Sequence, residues 1–596
     1  WKRKETPYHK CVIILIMVMV PRLTAAIVAA LLSPAQTHAF TSTSIISSLP
    51  RSVRSAALST TTTSFGRTSF ASSITANKSI RPTTRSLTIM SSSINNVEGA
   101  TIKRIGIIGG GAAGLATARA FLRANKNNDD DGTKQKKKVQ FEVTVLETRN
   151  SVGGIWKYDD DDNDDGKKSR PMYRNLRTNL PKELMAFREF PWGAGDGAEP
   201  SYVTHRQVHK YLEDYATKFD LLKNIRFGCR VDHLKVVCDD REHKHEAKEG
   251  ADELDCDSWP QISLKWTDNT DNQSHQRTFD NICICNGHYD LPSNPPLRGL
   301  ENFPGRVIHA IEYDTPAEFA GKTVLCVGAR ASGADIAREI GSVAKRVYLS
   351  DSSCNAREEF GAANVVVSMP RTQSVDKDGG IHFFSSESNG SHDEEWTLND
   401  VDVIIFCSGY DYAFPFIDGE SNLEFENVAG ERRVRPVYEQ LWHAQYPSLS
   451  FVGLPHSVVP FPLFEIQSTA VVSQLISRVG SVGLPSLSER LVAAENDANS
   501  GGPVTPGRVQ DTHFLGSYQW DYCRNVAKRA GVYNDDMENY IATNKALYDR
   551  SGKERKGMTP GGDDVYRETR FCRMEKEQSY EILHSEIKFA TPTVKT

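Results

Sequence analysis

Residues Lys103 to Arg123 read KRIGIIGGGAAGLATARAFLR. An apolar run from Ile105 to Ile108 breaks into Gly109-x-Gly111-x-x-Gly114, with Ala112 and Ala113 between the last two glycines. Leu115, Ala116, Ala118, Ala120, Phe121 and Leu122 follow at helical spacing. The order is strand, glycine turn, helix. Gly109 permits a tight turn, Gly111 lets a pyrophosphate approach bare backbone, and Gly114 lets the helix pack on the strand with its N-terminus toward the phosphates. The spacing predicts a dinucleotide-binding unit, and an ordinary glycine turn is the alternative. An acidic residue closing the next strand separates the two. Phe141 to Leu146 reads as that strand and Glu147 closes it, placed to hold a ribose hydroxyl. Glu147 lies 33 residues after Gly114, where about 20 are usual. Counting the polar stretch Asn125 to Lys138 as a 14-residue insertion leaves 19.

The chain has 596 residues, enough for three or four domains, and its 39% hydrophobic and 25% charged residues are those of a globular protein. The net charge of -5 conceals an asymmetry. Residues 1–97 carry eleven Lys and Arg against Glu5 alone, which leaves -15 for the rest. An acidic body argues against nucleic acid as a partner. Lys2, Arg3, Lys4 and Lys10 precede an apolar run, Cys11 to Val20, broken by Pro21-Arg22 and resumed from Ala25 to Leu32, which reads as a signal peptide. Phe40 to Val97 is rich in Ser, Thr and Arg without Asp or Glu, as in transit peptides. The two parts together resemble the bipartite presequences of algae with secondary plastids, so plastid import is expected. An endoplasmic reticulum membrane anchor, or a cytoplasmic protein starting at Met90, is the alternative. Eleven cysteines without framework or metal spacing read as reduced thiols, and no metal site is expected.

Further along, Gly153-Gly154-Ile155-Trp156 places a glycine pair before an aromatic. This resembles flavoproteins that bind FAD with such a unit, and the resemblance implies FAD here. Asp159 to Lys168 is an acidic low-complexity loop. Thr178-Asn179-Leu180-Pro181 reads as a polar turn, and a helix opens near Arg206 with Val208, Tyr211, Leu212 and Tyr215 on one face. Two sheet-like stretches flank the charged insertion Asp239 to Asp257, and Asn281 to Cys285 is an apolar strand.

Phe303-x-Gly305-x-x-x-His309-x-x-x-Tyr313 resembles the identifying motif of the flavin-containing monooxygenases that oxygenate nitrogen and sulfur. Its physical reading is a loop joining two domains. Tyr313 stands where the related Baeyer-Villiger enzymes usually carry Trp. A second strand, Thr323 to Val327, leads into Gly328-x-Arg330-x-Ser332-Gly333-x-Asp335, a variant turn with Arg330 at the middle glycine, which the family uses for NADPH. Ser374 to Trp396 reads as an insertion, Val401 to Phe406 as the last strand, and Cys407-Ser408-Gly409-Tyr410 resembles the family's linker back to the first domain. Phe464 to Ser468 opens a helix running to about Val479, which the family places by the flavin, with Gln467 toward it. Asn496 to Gly507 reads as a linker and Asp511 to Arg529 as the family's C-terminal helix.

These readings give an α/β fold of two Rossmann-type domains, the NADPH domain inserted into the FAD domain. The expected boundaries are a presequence at 1–100, FAD domain at 101–318, NADPH domain at 319–404, FAD domain again at 405–545, and a C-terminal extension at 546–596. No apolar C-terminal anchor is read, so no transmembrane anchor is expected in the mature part. The resemblance, closest to the plant glucosinolate S-oxygenase branch, implies that NADPH reduces FAD and that dioxygen then oxygenates a thioether or amine of a small molecule through a flavin hydroperoxide. It places Thr178 and Asn179 beside nicotinamide and flavin and makes Asn179 the catalytic candidate. A Baeyer-Villiger or N-hydroxylating enzyme and an uncoupled NADPH oxidase or non-oxygenating flavoprotein stay open. Coenzyme choice departs from the family. The second strand of the NADPH fold ends Ser350-Asp351-Ser352, where relatives carry Arg about at Ser352, and Arg330 or Arg357 could compensate.

Overall fold

The computed structural model describes residues 100–130, 138–158, 171–193, 200–237, 256, 259–354, 358–360, 365–384, 397–427, 432–556, 564–574 and 579–584. The expected presequence, the acidic loop at 159–168, most of the insertion at 239–257, Arg357 and residues 385–396 lie outside them.

The chain enters as β1 (Ala100–Ile108), α1 (Ala112–Asp130) and β2 (Lys138–Leu146). β1 and β2 run parallel, with Ile108 opposite Leu146. Adjacent residues on β1 face opposite ways. Ile105 and Ile107 join one core with Leu115, Ala118 and Phe121 of α1, and Ile108 joins another with Leu146 and Ile284. Both faces are covered, which is why the strand reads as a continuous apolar run. The first part of the expected insertion, Asn125 to Asp130, turns out to extend α1, and its last residue, Lys138, opens β2. Asn125 docks that extension by donating to the Phe141 carbonyl at 2.9 Å and accepting the Phe141 amide at 2.8 Å.

Helix α2 (His205–Lys218) opens on Thr204, whose hydroxyl accepts the Gln207 amide in a capping box, and it buries Val208, Tyr211, Leu212 and Tyr215 as the periodicity predicts. After β3 (Ile225–Arg226), an antiparallel meander of β4 (Cys229–Val237), β5 (Gln261–Asp268) and β6 (Gln273–Phe279) leads to β7 (Asn281–Ile284) beside β1.

The second sheet begins earlier than the sequence suggests. Arg306 to His309, inside the motif read as a connecting loop, is strand β8, paired parallel at the edge of that sheet. It precedes the expected boundary at 318/319. Then come β9 (Thr323–Val327), α3 (Ala331–Gly341), β10 (Arg346–Ser350), β11 (Glu358–Phe360), β12 (Val366–Met369) and β13 (Val403–Phe406), the last crossing the expected boundary at 404/405. Their order is β11-β12-β10-β9-β13-β8. Part of the expected insertion folds as a small sheet from Thr372–Val375, Ile381–Phe383 and Thr397–Leu398.

The chain then returns to the first sheet through β14 (Val437–Tyr438), β15 (Trp442–His443) and β16 (Leu449–Phe451), giving the order β14-β15-β16-β7-β1-β2-β3. Four helices follow: α4 (Pro460–Leu475), α5 (Leu487–Ser500), α6 (Gln519–Arg529) and α7 (Asp535–Lys556). Three expectations are corrected here. Helix α4 starts at Pro460, because proline suits the first turn, so Phe464 to Ser468 lie inside it. The expected linker from Asn496 contributes its first residues to α5. The boundary at 545/546 falls within α7, so the C-terminal extension is continuous with the packed body. No helix among the described residues is long and apolar enough to cross a membrane.

Candidate functional site

The glycine turn after β1 is set by backbone contacts. Gly109 has φ +104°, and a Cβ there would stand 2.6 Å from the Cys285 carbonyl oxygen. A Cβ on Gly114 would stand 1.9 Å from the Gly109 oxygen. Gly111 differs, since its Cβ would meet only Gly154, at 3.5 Å from Cα. Two bare backbones, Gly111 and Gly154, thus face each other at the start of α1, whose first amides have no intrahelical acceptor. Gly153, with φ +109°, feeds the short turn Gly154–Trp156, and its amide donates to the Gly110 carbonyl at 3.1 Å. Ile155 and Trp156 are half-buried in that turn, and Ala112 and Ala113 open α1.

Glu147 is buried at the end of β2. Its carboxylate accepts the Gly110 amide at 2.6 Å and the Arg149 amide at 2.8 Å, which fixes it beside the turn. Each oxygen retains a lone pair for a further donor.

The second turn repeats the first. Gly328 has φ +105° and its amide donates to the Ser350 carbonyl at 2.9 Å, as Gly109 does to Leu146 at 2.9 Å. A Cβ on Gly333 would stand 1.8 Å from the Gly328 oxygen. Arg330 is exposed at the N-terminus of α3, next to exposed Ser332. It lies close enough to act on His456, beyond the end of β16. Burial pushes the His456 imidazole down to about 4, and Arg330 and Arg432 push in the same direction. Arg330 thus lies within electrostatic reach of a residue beyond the carboxyl ends of the first sheet, where nucleotides bind in parallel α/β sheets. Asn286, Gly287, His288, Tyr412, Gly453 and Leu454 line a small cavity at those ends.

Thr178 and Asn179 form a turn ahead of α2. The Thr178 amide donates to the Val203 carbonyl at 2.8 Å, and its carbonyl accepts from Arg567 Nε at 3.1 Å. The Asn179 carbonyl accepts from Arg555 Nη1 at 3.1 Å. Thr178 Oγ1 is buried without a hydrogen-bond partner, as are His288 Nε2 and His456 Nε2. Three orphaned polar atoms and a slot walled by glycine backbone fit a polar dinucleotide.

Sequence reasoning missed Arg555 and Arg567, since each meets its carbonyl across more than 370 residues. Gln467 lies beside Gly453, which lines the small cavity. It is fully buried, its oxygen accepting the Gly453 amide at 2.9 Å and its nitrogen donating to Tyr522 at 2.8 Å. It stitches the loop after β16 to α6. Asp335, on α3, is ion-paired with Arg338 at 2.8 Å and Arg567 at 2.7 Å. Tyr313 is buried and donates to Glu339 of α3 at 2.7 Å, while His309 Nε2 sits 3.1 Å from the Gly409 carbonyl of the return linker. The motif at 303–313 thus fastens the second sheet to its surroundings.

A family model described as FMO-like, flavin-binding monooxygenase-like, matches residues 102–356. Flavin-containing monooxygenase FMO GS-OX5 of Arabidopsis thaliana is 31% identical over 460 residues, 74% of this chain and 88% of the relative. FMO GS-OX-like 4 of the same plant is 30% identical over 460 residues, 74% and 90% of the two chains. Among solved structures, S-allyl-L-cysteine S-oxygenase from Allium sativum is similar with a TM-score of 0.62 and 26% identity, covering 80% of this chain and 97% of that one. Tmm from a Pelagibacter strain shares the fold, with a TM-score of 0.59 and 20% identity over 80% of this chain and 95% of its own.

Proposed function

This chain belongs to the flavin-containing monooxygenase family, and from that membership we propose that the first glycine turn holds FAD, the second holds NADPH, and the product is the S-oxide of a small thioether. The repeated glycine turn, with the same φ and the same backbone contacts in both folds, carries the reading. Bound there, the flavin supplies the activation of dioxygen and the nicotinamide supplies hydride.

The chain's own residues do the remainder. The free amides at the start of α1 receive the pyrophosphate, with Gly111 and Gly154 leaving room for it. Glu147 receives a ribose hydroxyl. Thr178 Oγ1, buried and unpartnered, holds a polar edge of the bound cofactor. The Asn179 side chain makes no hydrogen bond among the described residues, and its backbone is pinned by Arg555. Its amide is thus available to donate where oxygen is activated. Sulfur is favoured over nitrogen because a solved relative with 26% identity is an S-oxygenase.

The test is product formed per NADPH consumed, with methyl phenyl sulfide and with N,N-dimethylaniline. The unaltered protein should convert most of its NADPH into sulfoxide. Asn179→Ala should reduce the flavin at an unchanged rate but release several-fold more hydrogen peroxide. Peroxide alone from the unaltered protein, with either substrate, would overturn the proposal.

A further inference from the structure

The C-terminal segment reaches the Thr178 turn and the second nucleotide fold at the same point. Arg567 is 4% exposed at its side chain. Its guanidinium donates in three directions: Nε to the Thr178 carbonyl at 3.1 Å, Nη1 to Asp564 at 2.9 Å, and Nη2 to Asp335 at 2.7 Å. Thr178 belongs to the turn ahead of α2, and Asp335 lies on α3, two residues after Gly333. One rigid fork therefore touches both. Burial opposes the charge of Arg567, but Asp335 and Asp564 outweigh it and hold the group ionised.

The surroundings seat the segment firmly. The Arg567 carbonyl accepts from Arg177 Nη2 at 3.1 Å. Tyr566 packs edge-on against Tyr202 at 5.2 Å. The Phe571 amide donates to Ser201 Oγ at 2.8 Å. Arg555, from the end of α7, holds the neighbouring Asn179 carbonyl. Both carbonyls of the turn are thus capped by arginines from the last part of the described chain.

We propose that Arg567 is a positioning residue that fixes the spacing between the Thr178–Asn179 turn and the second nucleotide fold, and so sets how well a nicotinamide dinucleotide is gripped between them. The planar guanidinium is suited to this, because its donors leave in fixed directions, whereas a lysine ammonium offers one flexible point of contact. Removing either partner breaks the bridge between α3 and the turn, while Asp335 keeps Arg338 and Arg567 keeps Asp564, so the loss falls on spacing rather than on an unpaired charge. The proposal rests on the reading that the second fold takes the nicotinamide coenzyme.

The experiment uses flavin-loaded full-length protein and needs no turnover. NADP binding is followed by the change in flavin absorbance, in the unaltered protein, Arg567→Gln, Asp335→Asn and the double variant. Hydrogen exchange is measured over residues 172–180 and 331–341 in the same set. Each single variant should retain its flavin, bind NADP about tenfold more weakly and exchange faster in both segments. The double variant should be no worse than the weaker single one, because one interaction is lost in all three. Arg567→Lys should recover part of the affinity through Asp335 while exchange at 172–180 stays fast. Unchanged NADP affinity in both single variants, or fully additive losses, would overturn the assignment. If Arg567→Gln does not fold, Asp335→Asn alone decides by the same affinity and exchange readings. No NADP binding by the unaltered protein would instead sink the coenzyme reading on which the proposal stands.

Discussion

The two nucleotide folds share one turn geometry and part where a ligand would meet them. Gly109 and Gly328 have φ +104° and +105°, and each lies against a cysteine carbonyl, that of Cys285 or Cys407. Those cysteines also donate to equivalent carbonyls, Ile108 and Val327, both at 2.9 Å. β2 ends at Leu146 opposite Ile108, and β10 ends at Ser350 opposite Val327, so Asp351 occupies the place of Glu147. Beside Ala329 for Gly110 and Ser332 for Ala113, the larger departures are Arg330 for Gly111 and Asp351 for Glu147. The carboxylates behave differently. Glu147 reaches across to the Gly110 amide, whereas Asp351 turns back and accepts the Ser353 hydroxyl at 2.8 Å. The difference teaches that the glycines that close the turn are fixed by backbone sterics, while the middle glycine and the acid answer to the ligand.

The largest effect tests the sterics. Gly114→Ala and Gly333→Ala would each press a methyl group into a carbonyl oxygen, at 1.9 and 1.8 Å respectively. Each should cost about 4 kcal/mol or more, the range of severe core lesions, and should leave little folded protein by circular dichroism and thermal melting. A well-folded Gly333→Ala beside an unfolded Gly114→Ala would break the equivalence of the two turns.

A smaller effect separates fold from ligand. A Cβ at Gly111 makes only ordinary contact with Gly154, so Gly111→Ala should fold with the melting temperature of flavin-free protein unchanged. Its flavin absorbance per chain should fall about tenfold, because the methyl group occupies the approach of the pyrophosphate. Retention of full flavin would show that Gly111 is no part of the cradle.

The smallest effect concerns coenzyme choice. Two unit charges about 4 Å apart interact by roughly 4 kcal/mol at an effective dielectric of about 20, but Asp351 is half-exposed and solvent screens much of this. Asp351→Arg should raise the ratio of kcat/KM for NADPH over NADH about tenfold. An unchanged ratio would mean that the turn of Asp351 toward Ser353 persists with coenzyme bound.

What was legible in the sequence follows the range of the forces involved. The strand, turn and helix around Gly109 depend on local sterics and periodicity, so the spacing alone located them, and Glu147 was found once the polar stretch was discounted. That stretch was misjudged as wholly inserted because the Asn125 bonds to Phe141 are tertiary contacts. The strand at Arg306–His309 was hidden because its exposed and buried residues do not alternate at a lone sheet edge. Gln467 was placed by resemblance, and its bonds to Gly453 and Tyr522 give it a structural role that local sequence does not express. Arg555 and Arg567 lie in a polar stretch with no motif, and only folding brings them to the turn.

The bond from Arg567 to Thr178 spans 389 residues, which also orders events during biosynthesis. At about 5–20 residues per second, the ribosome needs roughly 20–80 s after making Thr178 before Arg567 exists. During that interval β3, β7 and β14 to β16 are added to the first sheet while the carbonyls of the Thr178–Asn179 turn lack their arginines. Synthesis of the final segment is therefore the moment at which the two halves acquire their shared fastening.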